Sequence, residues 1–63
     1  MARFAVLVIW KDGEEEYLRE GSRVAVFSAR SRAEDQADFM RMGMEDEVQS
    51  INVVKAPPAA RTA

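Results

Sequence analysis

The stretch Phe4–Trp10, FAVLVIW, constrains this chain more than any other. It is a continuous apolar run between Arg3 and Lys11-Asp12-Gly13. Its length suits a buried strand and falls short of an ordinary helix. A strand with no polar alternation is apolar on both faces, and both faces need covering. One helix in so short a chain covers only one of them. The consequence concerns assembly rather than chemistry.

The 63 residues make one domain at most. Below about 70–80 residues a single core rarely supplies more than about 3–5 kcal/mol, so such domains usually need a staple. With no Cys and no His, the chain builds no disulfide, no His–Cys zinc site and no His general base. Tight packing or oligomerisation remains. Lack of cysteine also fits a reducing compartment. A net charge of −2 gives no electrostatic footprint for a polyanion or an anionic membrane. No segment approaches the length needed to span a bilayer. The Phe4–Trp10 run is followed by Lys11-Asp12 without a small-residue cleavage site, so it reads as structure rather than signal peptide, and a cytoplasmic location is expected.

Along the chain, residues 3–10 read as the first strand. Asp12-Gly13 between two extended runs is a hairpin signal, because a type I′ turn needs positive φ at both central residues. With those two residues as the loop, Lys11 faces Glu14, Val8 faces Tyr17 and Leu7 faces Leu18. Residues 15–19 form the second strand, Gly21-Ser22 a turn and residues 24–27 a short third strand. The acidic run Glu14-Glu15-Glu16 reads as a solvated hairpin end that discourages edge pairing, since a hard-cation site needs convergent oxygens.

Ser31-Arg32-Ala33-Glu34 fits a capping box and starts the helix. Ala33, Gln36, Ala37, Phe39 and Met40 are read as its buried arc, with Glu34, Asp38 and Arg41 opposite and Met42 beside the polar side. Gly43 is read as a left-handed residue ending the helix, with Met44 folding back on Phe39. Met40 and Met44 read as core filler, although methionine-rich surfaces also serve as adaptable binding grooves. Residues 49–55 form the last strand, and Pro57-Pro58 ends it. Residues 1–56 are thus expected to form a single α+β domain, and 57–63 a disordered Pro/Ala-rich tail.

The expected fold is a small mixed sheet of β-β-β-α-β order, arranged 4-1-2-3, with one helix on one face. The last strand is placed beside the first and parallel to it by a right-handed crossover. The outline resembles a minimal β-grasp, a likeness of fold that carries no function.

Chemistry is sparse. The glycines are isolated, so no phosphate loop is present. Without His, a serine nucleophile has only lysine or carboxylate as base, and no motif gathers them. No catalytic, cofactor-binding or metal-binding residues are assigned, and a non-enzymatic role is expected. Two constellations remain. The aliphatic face of the first strand (Ala5, Leu7, Ile9) is assigned to the helix, which leaves Val6, Val8, Trp10 and Tyr17 as the interface of a homodimer. Tyr and Trp are enriched at interface centres. The alternative is an anion or nucleotide site at the helix start, built from Arg23, Ser28, Arg30, Ser31 and Arg32 around free backbone N–H groups. An unidentified protein partner fits the first reading, whereas nucleic acid is disfavoured because the aromatic face lacks a basic surround.

Overall fold

The computed structural model describes residues 3–57. The expected tail lies outside them from residue 58 onward. In chain order the elements are β1 (Phe4–Trp10), β2 (Glu15–Tyr17), β3 (Arg19–Glu20), β4 (Arg23–Val24), α1 (Arg30–Met44) and β5 (Val48–Lys55). The class is α+β: one helix packs on a small sheet whose order is β2-β1-β5, with β1 in the centre. The sheet is antiparallel throughout rather than mixed.

The reversal of β5 relative to the expectation has a simple origin. Residues 19–26 hold a short hairpin, β3–β4, that turns at Gly21 with φ 67°. The chain leaves the sheet after Leu18, whose N–H donates to the Val6 carbonyl, and returns at Phe27, which exchanges two backbone hydrogen bonds with Phe4. Phe27 therefore resumes the position β2 vacated, on the same edge of β1. The excursion adds two reversals where a single third strand adds one. After the helix, β5 consequently arrives antiparallel to β1. Its berth beside β1 is the expected one, but the parallel central pair of a β-grasp is absent.

The β1–β2 register also differs. Gly13 N–H donates to the Trp10 carbonyl at 2.9 Å, and Trp10 N–H to the Glu14 carbonyl at 2.8 Å. The loop is thus three residues, Lys11-Asp12-Gly13, with only Gly13 at positive φ (94°). This is the three-residue hairpin with a glycine bulge rather than the two-residue type I′ turn. Asp12 contributes its Oδ1 as acceptor for the Glu14 N–H at 2.9 Å. The extra loop residue slips the pairing by one, so Leu7 faces Tyr17, Val8 faces Glu16 and Ile9 faces Glu15. A slip of one residue moves each β2 side chain to the other face.

That slip places Leu18 on the face of Val6 and Val8, and α1 covers this face. Val6, Ala33 and Ala37 are 0% exposed and Val8 and Ile51 3%. Small side chains at the centre let helix and sheet approach closely. Phe4, Trp10, Phe27, Met40 and Met44 pack around them and close the margins. The expected assignment of the faces is therefore inverted. The Ala5–Leu7–Ile9 face looked suited to an alanine-bearing helix, yet Val6 and Val8 are equally compact, and Phe4 and Trp10 fill the ends of the slot. A register shift between Ile9 and Trp10 pairs Trp10 with Val48 and leaves Gln49 unmatched. This bulge puts Val48 in the core cluster with Ile51 and leaves Gln49 exposed.

Candidate interaction surfaces

Of the four residues expected at an interface, Val6 and Val8 lie in the core beneath α1, and Trp10 packs at its margin. Val6 and Val8 cannot meet a partner in the folded chain, whereas Trp10 is half-buried and lines a cleft with Tyr17, Leu18 and Met40. Tyr17 alone stands on the face away from the helix, opposite Leu7. That face carries Ala5, Leu7 and Ile9 along β1, flanked by Tyr17 and Glu15 on β2 and by Val54, Asn52 and Ser50 on β5. Helix α1 packs on the opposite side, against Val6 and Val8. Ala5 is fully buried, whereas Leu7, Ile9, Tyr17 and Val54 are half-buried. Asn52 donates to Ser50 Oγ at 3.0 Å, so two polar groups on the β5 side satisfy one another. The face is an apolar stripe on the central strand with a polar margin.

A second apolar surface lies on the helix. Phe39 is 69% and Met42 76% exposed. Met42 lies off the buried arc, as its spacing implies, whereas Phe39 contradicts its place in that arc: two positions along a helix are about 200° apart, so Phe39 points away from Ala37. The buried series is Ala33, Ala37, Met40 and Met44, spaced by three or four as a helix face requires. Sequence reasoning missed Leu7, Ile9 and Val54 because the face assignment was inverted, and missed Phe39 because hydrophobicity was weighed above angle.

The five residues of the expected anion site do not form one constellation. The helix begins at Arg30, with Ala29 as N-cap at φ −121°, ψ 135° and no side-chain cap. Ser31 is already inside the first turn, so no capping box forms. Arg30 Nε lies 3.4 Å from Glu34 Oε2, which sets a carboxylate beside the arginine. Arg32 shares a shallow cleft with Asp35, Gln36 and Phe27. Arg23 sits on β4, across from Glu20. Ser28 is exposed just before the cap.

At the other end, α1 continues through Gly43 to Met44, and Gly43 is not at positive φ. No Schellman ending forms. Arg41 reaches from the helix to donate to the Ile51 carbonyl at 2.6 Å while pairing with Asp38. It ties the last turn of α1 to β5. Across the hairpin, Glu15 shares the face of Ile9 and Glu16 the face of Val8, so these carboxylates diverge. Among the described residues no group of three His, Cys, Asp or Glu side chains gathers as metal ligands, and no helix is long and apolar enough to cross a membrane. Comparison of the chain with family models, with curated proteins and with solved structures finds no match.

Proposed function

We propose that this chain is a non-catalytic protein-interaction module that self-associates through the open sheet face around Leu7, Ile9, Tyr17 and Val54. The observation that carries the reading is the one-sided cover: β1 is apolar on both faces, and α1 lies over the Val6–Val8 side only. A second copy presenting the same stripe supplies the missing layer by a two-fold pairing of identical surfaces. The small core supports this, because a chain of this size gains from enlarging its buried apolar area. Tyr17 at the edge of the stripe is a residue type enriched at interface centres.

Sedimentation equilibrium from micromolar to millimolar protein tests the proposal. The expected result is a mass rising from monomer to dimer. Leu7→Lys should hold the protein at monomer mass with an unchanged far-ultraviolet circular dichroism spectrum, and Tyr17→Ser should weaken association less. A monomer mass at every concentration contradicts self-association, and a dimer that Leu7→Lys leaves intact contradicts this face.

A further inference from the structure

We propose that the outer strip of α1, centred on Phe39 and Met42, docks a basic amphipathic helix from another protein. Among the described residues these are the two large apolar side chains most open to water. With Met40, Gly43 and Met44 they line a cleft of about 380 Å³. Gly43 has no side chain and open space where one would be, which leaves a notch one turn along from Phe39. Methionines are flexible and polarisable, so such a surface repacks around differing apolar anchors. A straight strip on a helix suits a partner helix read at i, i+3, i+4 and i+7 spacing.

Charge selects the occupant. Asp35 is one turn before Phe39 and Asp38 one turn before Met42, and Glu45 and Asp46 follow in the turn just past the end of α1. Arg41 pairs with Asp38 and is drawn toward β5 by the Ile51 carbonyl. Asp35, Glu45 and Asp46 have no ion-pair partner among the described residues. Arg32, at the start of the strip, is the one cation left beside it. A second copy would bring three more free carboxylates and one more arginine, six carboxylates against two arginines. A helix with Lys or Arg flanking its apolar stripe matches both the grease and the charge. This surface is separate from the open sheet face, and its occupant is a different molecule.

The test is an amide-shift titration of the whole chain with a synthetic helical peptide of leucine and lysine, leucines at i, i+3, i+4 and i+7. Controls are a scrambled peptide of the same composition and one with glutamate in place of lysine. The patterned lysine peptide should shift amides of residues 36–46, saturably and less at high salt. Phe39→Ser with Met42→Ser, both at exposed sites, should weaken binding by about tenfold or more. Leu7→Lys should bind the peptide unchanged, which separates this proposal from self-association. An equal response to the scrambled or glutamate peptide, shifts elsewhere, or full binding by the double variant overturns it. So do concentration-dependent shifts of residues 36–46 without peptide, which would give the strip to a second copy.

Discussion

Leu7 stands opposite Tyr17 across the β1–β2 ladder, not opposite Leu18. From this one pairing the rest of the arrangement follows. It puts Leu18 under the helix with Val6, turns Tyr17 to the open face, and leaves Leu7 and Ile9 half-exposed on the side of β1 away from α1.

The register depends on the three-residue loop, which in turn needs Gly13 at φ 94°. A Cβ there meets no neighbour within 4 Å, so any cost of substitution is backbone strain alone. Gly13→Val should destabilise by about 1–2 kcal/mol. Asp12→Ala should cost about 0.5–1.5 kcal/mol through the lost acceptor for the Glu14 N–H. Urea denaturation measures both, and an unchanged midpoint for Gly13→Val would contradict the loop geometry.

The helix start gives a prediction opposite in sign to the capping-box reading. Ala29 is the N-cap and carries no capping side chain. Ala29→Asp should stabilise by about 0.5–1 kcal/mol, because a carboxylate there accepts an orphan N–H and meets the positive end of the helix. Ser31→Ala should change stability by less than about 0.5 kcal/mol. A loss of stability for Ser31→Ala, with no gain for Ala29→Asp, would move the cap to Ser31.

Gly43 lies within α1 in helical conformation with open space at its Cβ position. Gly43→Ala should therefore raise stability by about 0.8–1 kcal/mol, the helix propensity difference between the two residues. A glycine in a left-handed terminal position would give the reverse. Thermal unfolding followed by circular dichroism at the helix band distinguishes the signs.

Ala33 and Ala37 are fully buried against β1 and β5. Enlarging Ala37 to Leu should cost about 1–3 kcal/mol, since the close helix–sheet approach leaves no room. Arg41→Met should cost about 1 kcal/mol by removing the donor to the Ile51 carbonyl. If both variants melt with the wild type, α1 does not pack on the Val6–Val8 face.

Much of this fold is legible in the sequence. The apolar run of β1, the strand after Lys11-Asp12-Gly13, the helix and its neighbour β5 all lie where periodicity and turn residues place them. What sequence left open are choices between nearly equal local alternatives. Asp-Gly serves a two-residue or a three-residue loop, and the difference decides the face of Tyr17. Arg19 to Val24 reads as parts of two strands in a meander, whereas it folds as its own hairpin, and that changes the direction of β5. Ser31 and Ala29 compete for the cap, and chain geometry rather than side-chain preference decides. Both faces of β1 are apolar, so composition could not say which one the helix takes. Phe39 is the exception, because its angle from Ala37 was readable from spacing alone.

The central claim is that two chains meet through the Leu7–Ile9 stripe. Intermolecular nuclear Overhauser effects in an equimolar mixture of isotope-labelled and unlabelled protein test it most directly. The account predicts contacts from the methyl groups of Leu7, Ile9 and Val54 in one chain to the Tyr17 ring of the other. Intermolecular contacts confined to Phe39 and Met42, or none at millimolar concentration, would contradict it.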